Sequence, residues 1–154
     1  MAEWLEVITV GRTRRGPLLD LEEDYLRRLE RLGGCRRRVV PPSKKAPAAL
    51  RRREEGEALA DLRRRRGLTV ALDASGRGFD SPAFQRWLLE ARGRGGVSFL
   101  IGGPDGLHTS TLAAADLKLA LGPMTLPHEL ALVVLLEQLY RALAAEQGHP
   151  YARH

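Results

Sequence analysis

Cysteine occurs once in these 154 residues, at position 35. A lone cysteine excludes a disulfide framework and a cysteine metal cluster. Cys35 therefore reads as a small apolar filler beside a strand. Histidine occurs four times, at positions 108, 128, 149 and 154, with no H-x-x-x-H pair and no cysteine partner, which excludes the usual zinc patterns. There is no G-x-S-x-G for a serine nucleophile and no G-x-G-x-x-G for a dinucleotide. The longest apolar run, residues 130–136, is far too short to span a bilayer. The first residues lack a basic stretch followed by an apolar one, so no signal peptide is expected and a cytoplasmic location is. Neither repeats nor linkers divide the chain, which predicts one domain over residues 1–154.

What is present is globular in character, with 44% hydrophobic and 29% charged residues and enough length to bury a core. The net charge of +6 is unevenly placed. Residues 1–67 carry 18 Lys and Arg against 11 Asp and Glu, a balance of +7. Residues 68–154 carry 7 against 8, a balance of −1. Such asymmetry fits a polyanion partner on one face. A solvated surface in an Arg-rich chain accounts for the same numbers. The Arg runs at 36–38, 51–53 and 63–66 cannot each form one patch, because neighbouring helical residues point roughly 100° apart. Some must face solvent or Glu54, Glu55 and Glu57, giving a diffuse basic face.

Hydrophobic periodicity predicts strands at 4–10, 36–40, 68–73, 96–101 and 118–121. It predicts helices at 17–32, 46–66, 81–92, 109–116 and 126–147. In the first helix Leu18, Leu21, Tyr25, Leu29 and Leu32 form the apolar stripe. Ser81 is expected to cap the third helix, and Thr109 or Ser110 the fourth. Gly76-Arg-Gly78 reads as a flexible loop after the strand ending at Asp73. Alternating strands and helices, with continuous apolar runs in the central strands, predict an α/β fold: a mainly parallel sheet with helices on both faces. The last helix is apolar nearly all round from Leu130 to Leu136, so it is buried on more than one side. It lies either between the sheet and a second subunit or in the core of a monomer.

Two Gly/Pro-rich loops end buried strands. Gly102-Gly-Pro-Asp-Gly106 has more glycine than a tight turn needs, and bare backbone can approach a flat ligand closely. Residues 121–128 form a stiff loop lined by Met124 and Leu126. With no Lys or Arg from Leu119 to Leu126, it suits an adenine ring better than a phosphate. Paired loops at strand ends are how α/β proteins build a ligand cleft. His128 opens the last helix, either bonding nearby backbone or accepting a proton. The tail, Gly148-His-Pro-Tyr-Ala-Arg-His154, groups an aromatic, an arginine and two histidines where a folding role is least expected. An aromatic can stack on a base and an arginine can hold a phosphate.

Leu72-Asp73, Ile101-Gly-Gly-Pro-Asp-Gly-Leu107, Thr125-Leu-Pro-His128, Glu137-Gln-Leu-Tyr-Arg141 and His149-Pro-Tyr151 resemble, in order and spacing, the SPOUT methyltransferases, specifically the ribosomal RNA large-subunit methyltransferase H family. The resemblance extends over the whole chain, including residues 4–11 and Tyr25-Leu-Arg-Arg28. It departs at Gly122-Pro123, where some relatives carry Ser-Ala-like residues, and at Ala152. The resemblance implies a C-terminal trefoil knot, which no propensity argument would produce. It implies a homodimer that methylates N3 of a pseudouridine in the helix 69 loop of 23S ribosomal RNA, probed best in the assembled ribosome. It also implies that Leu72, Gly103, Leu121, Gly122, Pro123, Met124, Thr125 and Leu126 contact S-adenosylmethionine. No membrane partner is implied.

Methyl transfer is an in-line displacement in which alignment supplies most of the catalysis. The target N3–H is weakly acidic and must lose its proton. Arg153 is the candidate to stabilise the imide anion. Tyr151 is the candidate to pack beside the base, and His128 or His149 to take the proton. Two other readings remain: a non-enzymatic ribosome- or RNA-binding factor, which leaves the Gly/Pro loops unexplained, and a flavodoxin-like nucleotide module, which needs phosphate-cradling loops nearer the first strand.

Overall fold

Short apolar runs separated by helices build a five-stranded sheet in the computed structural model, which describes residues 4–63 and 66–152. In chain order the elements are β1 (Leu5–Val10), α1 (Pro17–Glu30), β2 (Arg36–Val40), α2 (Ala48–Leu62), β3 (Leu68–Arg77), α3 (Ser81–Gly93), β4 (Val97–Ile101), α4 (Thr109–Ala114), β5 (Leu117–Leu119) and α5 (His128–Glu146), followed by a 3-10 turn (Pro150–Ala152). The strand order is β2-β1-β4-β3-β5, and every pairing is parallel. All strand C-termini, and the loops that follow them, therefore lie on one edge of the sheet.

Strand periodicity divides the core into two layers. Leu5, Val7, Val97, Phe99 and Ile101 face α1, α3 and α5. Ile8, Val10, Leu100 and Val40 face Leu59 of α2. The first layer is the larger. In it Leu135, Leu136, Leu139 and Leu143 of α5 are wholly buried, each contributing about 1.5–3 kcal/mol of transfer free energy. Helix α5 packs against α1 and α3, so a single chain already covers most of its girth. Leu130, Ala131 and Val134 remain half-exposed.

Several local expectations are corrected by partners remote in sequence. Leu21 is 42% exposed, and its place in the buried stripe of α1 is taken by Glu22. That carboxylate is buried because it accepts from the Thr13 hydroxyl and pairs with Arg37 Nε at 3.4 Å. Helix α2 starts after Pro47 and ends at Leu62, since Arg63 is already extended. Asp80, not Ser81, caps α3: its Oδ1 accepts from Ala83 N at 2.8 Å, while Ser81 Oγ donates to Gln138 Oε1 at 2.8 Å. His108, not Thr109 or Ser110, caps α4 by accepting from Ser110 N at 3.1 Å.

The largest difference is in β3. Gly76 and Arg77 continue the strand rather than forming a loop, because Leu119 of β5 registers with both Leu72 and Arg77, with a bulge between them. Ala120 N also donates to Arg77 O at 2.9 Å. A Cβ on Gly76 would lie 2.6 Å from both the carbonyl carbon and the oxygen of Lys118, so only glycine permits this approach.

The tail is also structured as far as Ala152. The Tyr151 ring stands edge-on to Tyr140 with centroids 4.7 Å apart. Its hydroxyl lies 2.9 Å from that of Tyr25 and donates to Glu137 Oε1 at 3.1 Å. Tyr151 thus has a packing role that its place near the chain end does not suggest. Half-buried Cys35 packs on the main core, and burial pushes its thiol up to about 12, so it is protonated and inert at neutral pH.

Candidate functional site

The C-terminal edge of β3, β4 and β5 opens into a cleft of about 630 Å³. Its floor and walls are Leu72 and Asp73 from β3, Ile101 to Leu107 around the first Gly/Pro loop, and Leu119 to His128 around the second, with Ala131 of α5 closing one side. That volume suits a nucleoside-sized ligand.

The first loop is a hairpin-like turn, with Gly106 N donating to Gly103 O at 2.9 Å. A Cβ on Gly102 would sit 2.7 Å from Gly106 C, and Gly106 adopts φ +78, so both glycines serve the turn itself. A Cβ on Gly103 would point to Val10 Cγ1, 3.4 Å away, and towards the buried Glu55. A larger residue there would strain the loop from beneath rather than fill the cleft. Arg51 holds the loop from outside: its Nε donates to Asp105 Oδ2 at 2.8 Å, and that hydrogen bond keeps the Asp105 carboxyl below its usual range. Arg51 Nη1 also donates to Lys45 O at 2.9 Å.

Of the residues expected at a cofactor site, Leu72, Gly103, Leu121, Gly122, Met124, Thr125 and Leu126 all line this cleft. Pro123 does not; it stiffens the loop from outside. Met124 is 81% exposed, an apolar side chain standing on the rim. Lining residues given no cofactor role by the sequence include Asp73, Ala74, Leu107, Leu119 and Ala131. Asp73 carries the one carboxylate among the lining residues, and it accepts from Ser75 N at 3.1 Å. No lining residue is Lys or Arg, so a phosphate would find no counter-ion.

His128 lines the cleft at the first position of α5. Among the described residues nothing hydrogen-bonds its ring, so the nearby-backbone alternative is not realised. His149 lies on the tail instead, where its Nδ1 accepts from Tyr151 N at 3.1 Å. Tyr151 does not line the cleft. It contacts α5 at Glu137, Tyr140 and Arg141, and Glu137 lies about 13 Å along the helix from His128 at 1.5 Å per residue. Burial, the hydrogen bond to Tyr25 and the charge of Glu137 push the Tyr151 phenol above its usual range, so it is not a base at neutral pH. Arg153 lies outside the described residues, as do Arg64 and Arg65 of the third Arg run.

Many of the other arginines are engaged internally. Arg38 Nη1 pairs with the wholly buried Glu6 at 3.5 Å, and Glu6 also accepts from Ser98 Oγ at 2.7 Å. Arg92 pairs with Glu146 at 3.2 Å, Arg53 with Glu57 at 3.5 Å and Arg141 with Glu137 at 2.6 Å. Among the described residues there is no cluster of His, Cys, Asp or Glu able to hold a metal, and no helix long and apolar enough to cross a membrane.

Filling the cleft from its exposed wall tests whether it is a binding site. Ala74→Trp projects from an exposed position of β3 and spares the core. It is expected to weaken S-adenosylmethionine binding by about 10- to 100-fold in calorimetry, in line with overfilling a fitted space, while the melting temperature stays near wild type. Unchanged affinity would exclude this wall from the site.

Residues 4–152 match a family described as predicted SPOUT methyltransferase. The chain is 45% identical over 154 residues to the ribosomal RNA large subunit methyltransferase H of Gluconacetobacter diazotrophicus, covering 97% of each chain. It is 39% identical over 155 residues to the protein of the same name from Sorangium cellulosum, covering 96% of this chain and 98% of that one. Among solved structures it is similar to a probable methylase family protein from Haemophilus influenzae, with TM-score 0.59 and 14% identity over 96% of this chain and 70% of that one. It is also similar to a probable methyltransferase from Bordetella pertussis, with TM-score 0.54 and 16% identity over 92% of this chain and 96% of that one. At such identities the structural likeness concerns the fold alone.

Proposed function

The chain belongs to the SPOUT methyltransferase family, within the ribosomal RNA large subunit methyltransferase H group, and from that premise we propose that it methylates N3 of a pseudouridine in the helix 69 loop of 23S ribosomal RNA. The observation that carries this reading is the cleft: nucleoside-sized, apolar, bounded by two Gly/Pro loops and free of lining cations. It fits S-adenosylmethionine, a nucleoside that bears positive charge and no phosphate. Leu72, Leu107, Leu121 and Leu126 are suited to enclose an adenine. Asp73 offers a carboxylate to the ligand's hydroxyls or positive charge. When bound, S-adenosylmethionine supplies a methyl group on a sulfonium, which is already a good leaving group.

The chain's remaining task is to orient the nucleotide and manage one proton. His128, with its ring free in the cleft, is the proposed acceptor for the N3 proton, directly or through water. Arg153 is proposed to stabilise the resulting imide anion, and Tyr151 to hold the tail against the nucleotide. Because Tyr151 docks at mid-helix on its own α5, the tail is proposed to serve the cleft of a second copy, which makes a homodimer part of the active site. The half-exposed stripe of Leu130, Ala131 and Val134 beside the cleft, with Met124 on its rim, supports such a contact. Light scattering at micromolar concentration should give twice the chain mass of 17.0 kDa. A mass of one chain would remove the partner from the mechanism.

The chain is proposed to form one domain with a C-terminal knot. Support comes from β5 crossing to the far side of β3 and residues 120–127 packing back towards the 101–107 loop. Incubation with labelled S-adenosylmethionine and assembled cytoplasmic ribosomes, then mapping of the modified nucleotide, tests the activity. Methyl on the N3 of a helix 69 pseudouridine is the expected result. Binding of ribosomes without methyl transfer would favour the non-enzymatic factor.

A further inference from the structure

We propose that the loops following β1 and β2 form the docking surface for the phosphodiester backbone of the RNA, next to the cleft, and present a nucleotide to its mouth. The inference deepens the ribosomal RNA reading and rests on it for the identity of the partner.

The parallel sheet puts residues 11–16 and 41–47 on the same edge as the cleft, over its β1–β2 side. The two loops are joined: Gly11 N donates to Val40 O at 2.8 Å, and a Cβ on Gly11 would meet Pro42 Cγ at 3.5 Å. Both are also tied to the cleft. Arg14 donates from its backbone N and its Nε to Glu129 Oε1, at 3.2 and 3.3 Å, one residue beyond His128. Arg51 links Lys45 O to Asp105 of the first Gly/Pro loop.

Arg12, Arg14, Arg15, Lys44 and Lys45 are all exposed here. The facing carboxylates are few. Glu129 takes Arg14, Glu54 takes Lys45 at 2.7 Å, and Asp105 takes Arg51. Among the described residues Arg12, Arg15 and Lys44 have no carboxylate within ion-pair distance. Elsewhere in the basic half Arg37 pairs with Glu22, Arg38 with Glu6 and Arg28 with Asp24. Three exposed cations with no such partner, Arg12, Arg15 and Lys44, are thus gathered at the edge that holds the cleft.

A cluster of like charge is relieved by a polyanion that displaces its counter-ions. The neighbouring cleft lacks cations, so a backbone held on the β1–β2 side would leave a base free to enter on the β3–β5 side. A membrane is disfavoured because neither loop carries a Trp, Phe, Leu or Ile to insert.

Fluorescence anisotropy with a labelled RNA hairpin, titrated against salt, tests this without requiring catalysis. R12A/R15A/K44A is compared with R31A/R66A/R94A, an equal charge loss at the opposite edge of the sheet, where α1 and α3 end and β3 begins. The cleft-edge variant is expected to lower the log–log salt slope by about 2 and to weaken binding about 10- to 100-fold at low salt. The opposite-edge variant should change binding less than about threefold. Both should keep wild-type cofactor affinity, and R12K/R15K should keep the slope. Equal weakening by both triple variants, an unchanged slope in the first, or wild-type binding to phosphatidylserine vesicles in place of RNA would each overturn the proposal. If the split in RNA binding holds but wild-type protein transfers no methyl group to ribosomes, the docking surface stands and the methyltransferase reading falls.

Discussion

Two impaired variants mixed together should recover about a quarter of the wild-type methyl-transfer rate. Arg153→Ala alone should fall about a hundredfold or more, the usual loss for a group that stabilises charge developing in a transition state. Ala74→Trp alone, assayed at cofactor concentrations near the wild-type Kd, should fall to about a fifth of the wild-type rate or below, because its cleft is obstructed. If the tail of one copy completes the cleft of another, a mixed dimer contains one site with an intact cleft and an intact tail. Random pairing makes about half of the dimers mixed, and each mixed dimer has one working site of two.

The geometry behind this is the seat of Tyr151. Tyr25, Glu137, Tyr140 and the guanidinium of Arg141, 5.2 Å from the Tyr151 ring, fix it at mid-helix. Tyr151 is thereby held about 13 Å along α5 from His128 at its start, at 1.5 Å per residue. Arg153→Lys should restore only part of the single-variant loss, since lysine lacks the planar fork. If the tail acted on its own cleft, the mixture would be as inactive as its components. A mixture no more active than the mean of the two variants would therefore end the shared-site proposal.

The parallel α/β plan was legible because its central strands are continuous apolar runs between periodic helices, and β2 occupies residues 36–40 as expected. The cleft was legible for the same reason: two Gly/Pro loops directly follow strands, and parallel strands put those loops on one edge. What the sequence concealed depends on remote partners. Glu6 is buried against Ser98, 92 residues away, and Glu22 against Thr13 and Arg37. A carboxylate in an apolar stripe signals neither. Asp80 and His108 displaced the expected caps because Ser81 found Gln138, 57 residues distant, and the His108 ring reached Ser110 N. Ala74 escaped notice as a cleft residue because the extension of β3 beyond Asp73 exists only through its pairing with β5.

That extension yields the other large effect, in which two glycines of one tripeptide behave oppositely. Gly76→Ala should destabilise the protein by about 2–4 kcal/mol, in the range of severe overpacking. Its Cβ would lie 2.6 Å from Lys118 C and O and 2.9 Å from Leu119 N. These are backbone atoms, held by the pairing of Val70, Ala71 and Leu72 with residues 117–119 and by Ala120 N on Arg77 O. No side chain can swing aside, so β5 must leave β3. Gly78→Ala should change stability by less than about 0.5 kcal/mol, because its Cβ meets nothing within 4 Å. Urea unfolding of the two variants measures the difference. The consequence extends to the cleft, since Leu121 to Leu126 continue directly from β5 and form one wall. Gly76→Ala should therefore lose S-adenosylmethionine binding even at temperatures where it remains folded, while Gly78→Ala binds as wild type. Equal stability of the two variants would mean that Gly76-Arg-Gly78 is the flexible loop its composition suggests, and that the second wall of the cleft is not anchored through Gly76.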